Sequence, residues 1–118
     1  LNASENPWGD GADVFINMNE MRAVVSDFIN RKGDMANSKG NFIAWLSGHR
    51  HADGIVKIDD FIHVIQDGDT CQKAYEAGNE RLVNTTSEQS FAVFTVDKAK
   101  HKVYVTRIGA GDDRSFTY

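Results

Sequence analysis

Four histidines occur in the 118 residues, and two of them, His49 and His51, stand one residue apart in Gly48-His49-Arg50-His51. They follow the apolar run "NFIAWLS" of residues 41–47. Imidazole is the commonest protein ligand for ions such as zinc, iron and manganese. On a helix, side chains at i and i+2 point in nearly opposite directions, whereas on extended or irregular backbone both rings can reach one small volume. Two ions about 3.5–4 Å apart could each take one ring. Gly48 permits the turn or close backbone approach that carries the pair off the end of a strand. In layered α/β folds the carboxyl ends of strands form the functional rim. The competing reading of an H-x-H pair is polar surface structure. Asp53 could hold a ligating histidine by a hydrogen bond and fix its tautomer, or it could shape a turn ahead of Gly54. Arg50 could contact a phosphate or stay in solvent.

The remaining chemistry-bearing residues read as structural. His63 alternates with apolar neighbours in "FIHVIQ" (residues 61–66), the pattern of a satisfied core histidine. His101 lies in a lysine-flanked turn and belongs to the surface. Cys71 has no basic partner nearby in sequence to activate it. "GAGDD" (residues 109–113) matches neither of the glycine-rich phosphate loops. Arg107 and Arg114 read as partners of carboxylates or of other parts of a larger fold. Trp8 reads as an anchor and Trp45 as a core residue. The chain contains no H-E-x-x-H and, with one cysteine, no cysteine cluster.

These residues need a frame. Met21, Val24, Val25, Phe28 and Ile29 recur at helical spacing and predict a one-striped helix over 19–31. Asn17 and Glu20 can form a capping box at its start, and Gly33 can stop it. Residues 42–47 predict a strand buried on both faces. "IVKI" (55–58) and "FIHVIQ" (61–66) predict a hairpin, followed by an Asp67-Gly68 turn. A helical turn or two fits within 73–82. "SFAVFTV" (90–96) and "KVYVTRI" (102–108) predict a second hairpin, with "GAGDD" as a turn and "RSFTY" closing the chain. Residues 1–16 read as a loop or linker, and 17–118 as one structural unit. The fold class is mixed α and β, with strands dominating the second half.

Composition narrows the function. The chain is 41% hydrophobic and 25% charged, with a net charge of −4. Acids and bases are interspersed, which leaves neither a nucleic-acid footprint nor a polybasic membrane patch. No apolar run approaches the roughly 18–20 residues of a membrane helix, and one cysteine gives no internal disulfide. The opening "LNASENPWGDGAD" has none of the parts of a signal peptide and reads like the interior of a longer chain. The expected compartment is cytoplasmic.

"FIAWLSGHRHAD" (residues 42–53) resembles the last signature of the calcineurin-like metallophosphoesterases, a G-H-x-H at the end of a buried strand. "TSEQSFAVFTVDKAKHKVYVTRIGAGDDRSFTY" (residues 86–118) is similar to the ending of a bacterial and phage branch of that family, in which a strand pair closes on R-I-G-A-G-x-D-R-x-F, here 107–116. The resemblance implies an α/β sandwich. It implies two divalent ions, of Mn, Fe or Zn, with His49 on one and His51 on the other, and a bridging water that attacks a phosphate mono- or diester. The family's upstream D-x-H and N-H-[DE] motifs do not precede Gly48, and Asp10, Asp13 and Asn17 do not form them. The chain therefore resembles the C-terminal part of such an enzyme. Alone it is expected to bind metal weakly, to turn over little substrate and to self-associate through uncovered apolar strands. The rival reading is a noncatalytic β-rich binding or assembly module that retains the fold's ending.

Overall fold

The computed structural model describes residues 18–48, 53–58, 61–66 and 81–118. Helix α1, Met18–Asn30, matches the predicted span closely. Its buried contact is narrower than its apolar stripe. Val25 packs on Phe61, with Ile29, Phe42 and Trp45 around them, while Val24 remains 52% exposed and Met21 is exposed as well. The helix touches Phe61 and Trp45, the first residues of two short strands, so the sheet covers only part of the stripe. Gly33 does not stop the helix. Arg31 takes the left-handed position at φ 55°, and the Lys32 amide donates to Asp27 O at 2.9 Å, which closes the last turn. A non-glycine residue is tolerated there because its guanidinium donates to the carbonyls of Phe28 and Gly40 and lies over the Phe28 ring. Gly33 instead opens the 3-10 turn Gly33–Met35. Asn17, the predicted cap, lies outside the described residues.

Strands β1 (Trp45–Ser47), β2 (Gly54–Ile58) and β3 (Phe61–Ile65) form the first sheet, in the order β1-β3-β2. β2 and β3 are the predicted antiparallel hairpin, with Ile58 opposite Phe61 and Gly54 opposite Ile65. β1 pairs with β3 in parallel, Trp45 opposite His63 and Ser47 opposite Ile65. This corrects the expectation of a strand over 42–47 buried on both faces. Only three residues pair, and among the described residues β1 is an edge strand, which leaves Leu46 56% exposed. Ile43 and Ala44 still reach the core, from unpaired backbone leading into the strand.

β4 (Ser90–Asp97), β5 (Lys102–Gly109) and β6 (Arg114–Thr117) form an antiparallel meander. The second hairpin is as predicted, in register from Ser90–Gly109 to Asp97–Lys102. The closing "RSFTY" adds a strand that the sequence reading left unassigned, with Phe116 opposite Val103. Strand alternation sends Val103, Val105 and Phe116 to one face, where they meet Val64 of β3 along with Ile43, Ile55, Ile62, Ala92, Phe94 and Tyr118. Phe61, on the alternate face of β3, packs against α1. The result is three layers: helix, first sheet, second sheet. Among the described residues this is a mixed α and β fold with one α-helix and two small sheets, and no helix is long and apolar enough to cross a membrane. The possible helical turn at 73–82 lies outside the described residues except for Arg81 and Leu82, which are not helical.

Candidate functional site

The rim where Gly48 leaves β1 is held in register with β3. The Gln66 amide donates to Ser47 O at 2.8 Å, so the parallel pairing runs to the carboxyl ends of both strands. Asp53, just ahead of β2, comes to the same end of the sheet because Gly54 pairs with Ile65. Gly48, Asp53 and Gln66 therefore share one edge. The six-residue stretch from Gly48 to Asp53 leaves from this rim and returns to it. His49, Arg50 and His51 lie within that stretch and outside the described residues.

The rim is closed from the second sheet. Arg107 on β5 and Arg114 at the start of β6 both reach Asp53. Arg107 Nη2 donates to Asp53 Oδ2, and Arg114 Nη2 donates to Oδ1 at 3.1 Å. Arg114 also donates to Gln66 Oε1 at 2.9 Å and to Ile65 O at 3.3 Å. Arg107 donates to Ser90 Oγ, which in turn donates to Ala110 O at 3.1 Å. The Arg107 side chain is 1% exposed and that of Asp53 9%. The expectation that these arginines seek carboxylates is met, and the partner is Asp53, whose two oxygens are each engaged by a guanidinium. A carboxylate committed in this way supports a neighbouring segment and is poorly placed to ligate a cation.

The "RIGAGDDR" stretch is shaped to present the two arginines. Gly109 sits at φ 96°, and a Cβ there would lie 2.0 Å from Gln89 O. Only glycine fits that approach, which lets the Ala110 amide donate to Gln89 O at 2.8 Å. Gly111 takes φ 103°, and Asp113 Oδ1 accepts from the Arg107 amide at 2.7 Å. The 3-10 turn Thr86–Glu88 before β4 is capped by the Thr85 hydroxyl, which accepts from the Ser87 amide at 3.2 Å.

His63 is the buried histidine that its sequence context predicts, 1% exposed. Its Nε2 lies 2.7 Å across the parallel pair from the Oγ of Ser47, the residue before Gly48. Burial pushes its pKa below the ordinary 6.5 by disfavouring the charged ring. His101 is exposed in the hairpin turn at φ 49°, its ring 5.6 Å from that of Tyr118. Trp45 is half-buried against α1, and Cys71 and Trp8 lie outside the described residues. A recess between α1 and Phe61, lined also by Asn19, Arg22, Ser26 and Asn30, sits at the opposite end of β3 and shares no residue with the rim.

Among the described residues no group of three His, Cys, Asp or Glu side chains could hold a metal ion. The rim fits the metal reading in one respect, that both ends of the histidine-bearing stretch are fixed at one place. The Gly48–Asp53 stretch supplies two imidazoles by sequence, short of the roughly four donors that a closed site needs. Sequence reasoning missed Ser90, Gln66 and Gly109 as parts of this rim. The readable signal was two arginines seven residues apart on either side of a glycine-rich turn, and one aspartate beside an H-x-H. Compared with protein-family models, curated proteins and solved structures, the chain matches none.

Proposed function

We propose that this chain is the C-terminal part of a dinuclear metal-dependent phosphoesterase that hydrolyses phosphate mono- or diesters. The observation that carries the reading is the contact between the two stretches that resemble the metallophosphoesterases. Asp53, two residues beyond the G-H-x-H, is ion-paired to both arginines of the R-I-G-A-G-D-D-R stretch. The two stretches are parts of one rim. His49 and His51 would each hold one ion of a pair, of Mn, Fe or Zn. Such ions, when bound, supply an activated water and stabilise charge on the phosphate oxygens. The other ligands would come from sequence N-terminal to Gly48.

The test compares hydrolysis of a chromogenic phosphate ester by the 118-residue chain, by a longer form carrying its natural upstream sequence, and by His49→Ala and His51→Ala variants of that form, with added Mn²⁺. The longer form is expected to be active, each variant to lose at least about a hundredfold, and the 118-residue chain to be nearly inert. An active longer form that keeps its rate without both imidazoles removes the reading.

One observation favours the second reading, an assembly module. The outer face of the meander exposes Phe91 (50%), Val93 (49%) and Ile108 (44%), with Phe91 opposite Ile108. Among the described residues β4 is one of the two edge strands of that sheet. A second copy would satisfy the edge by edge-to-edge pairing and cover the apolar face by packing against it. Sedimentation showing a compact monomer at high concentration removes that reading.

A further inference from the structure

We propose that Asp53, Arg107 and Arg114 form a positioning clamp that fixes where the stretch bearing His49 and His51 returns to the rim. The inference rests on the phosphoesterase reading of those histidines. It starts from covalent geometry. Two residues of chain span at most about 7 Å, so fixing Asp53 confines His51 to its vicinity. The Gln66–Ser47 hydrogen bond fixes the other end, one residue before Gly48. Both ends are thus tied to β3 or to residues that follow it, and the second sheet reaches the Asp53 end directly through Arg107 and Arg114 and the Ser47 end through the Arg114–Gln66 bond.

The clamp is built for direction. Asp53 receives Arg107 on one oxygen and Arg114 on the other, which sets the plane of the carboxylate as well as its place. Arg107 is steadied by Ser90, and Arg114 by Gln66 and Ile65. Gly109 and Asp113 shape the turn that lets both guanidiniums face one point. Stability alone does not call for such a cluster, because apolar residues of similar volume commonly serve a buried site as well or better than an ion pair. An apolar cluster would not orient a carboxylate or the chain that carries it.

The test uses the 118-residue chain and Mn²⁺ alone as probe. The triple variant Asp53→Leu/Arg107→Met/Arg114→Met removes every charge of the cluster and keeps its volume. Arg114→Lys keeps the charge and removes the fork that joins Asp53 to Gln66. Three quantities are read: the melting temperature, amide exchange of residues 49–52 in metal-free protein, and Mn²⁺-induced broadening of the His49 and His51 ring resonances. The triple variant is expected to melt near the parent chain, to exchange amides 49–52 at least about tenfold faster, and to need about tenfold or more Mn²⁺ for equal broadening. Arg114→Lys should move exchange and broadening in the same direction by less. A folded triple variant with unchanged exchange and broadening overturns the clamp. If the triple variant does not fold, unchanged exchange in Arg114→Lys overturns it. Faster exchange in the variants, together with no Mn²⁺ broadening of either ring even in the parent chain, upholds the clamp and removes the metal reading.

Discussion

The two sheets are made differently. The second pairs two strands of eight residues along their whole length and adds the four-residue β6, and the turn that joins β5 to β6 is specified by Gly109, Gly111 and Asp113. The first is built from strands of three and five residues, has an edge strand with an exposed leucine, and takes part of its rim from the other sheet. Yet the stretch that holds His49 and His51 leaves and rejoins the first sheet. The proposed chemistry thus belongs to the less complete sheet, and the more complete one supplies the arginines that hold Asp53. On that comparison, a substitution in the meander should disturb the rim, whereas one at the β1 edge should stay local.

The largest expected effects break the support. Arg107→Ala leaves Asp53 with one guanidinium and Ser90 without its donor, all within a buried cluster. Removing one partner of a buried ion pair costs about 3–5 kcal/mol, and chemical denaturation followed by circular dichroism should report a loss of that size. Phe116→Ala removes an aromatic ring from the shared core beside Val64, Val103 and Val105, again a loss of about 3–5 kcal/mol. Gly109→Ala forces a Cβ into Gln89 O and strains a backbone at φ 96°, and is expected to cost more than about 2 kcal/mol. By contrast, Leu46→Ser at the β1 edge should change stability by no more than about 0.5 kcal/mol, because the side chain is already mostly in water. If Leu46→Ser destabilised the chain as much as Phe116→Ala does, the contrast between the sheets would be wrong.

The same contrast governs what was legible in the sequence. Both hairpins could be read because a two-residue alternation between turn residues is a local signal. The helix could be read from its spacing, but its buried width could not, since that depends on how little sheet lies beneath it. β1 was misjudged for a related reason. An apolar run shows that side chains will be covered, and Ile43 and Ala44 are, but it does not say whether a second strand lies alongside. β6 was overlooked because four residues carry almost no periodicity, and its place is set by the turn at Gly109 and Gly111. The Asp53 clamp joins residues 54 and 61 positions apart, and charge in a sequence carries no address. His63 could be read as buried, while its bond to Ser47 needed the parallel pairing that only the crossover creates.

The smallest expected effect probes the point where the first sheet stands on its own. His63 lies with its Nε2 beside Ser47 Oγ, a contact made between two strands of the first sheet. Burial lowers its pKa below 6.5. In the unfolded chain the ring titrates at its ordinary value, so below about pH 6.5 the unfolded state binds a proton that the folded state resists. Stability from this residue is therefore complete above that pH and declines as pH falls from 6.5 toward the lowered folded value. One site can tilt the unfolding free energy by at most about 1.4 kcal/mol per pH unit. The check is denaturation at several pH values between 7.5 and 5 for the parent chain and for His63→Gln, which keeps a polar group for Ser47 but does not titrate. The parent chain should lose stability over that window faster than the variant. The difference between them should be absent above pH 7, apart from a constant offset for the changed side chain. If the two lines run parallel down to pH 5, the proton is taken up elsewhere, and His63 is a packing residue whose charge state does not bear on the rim.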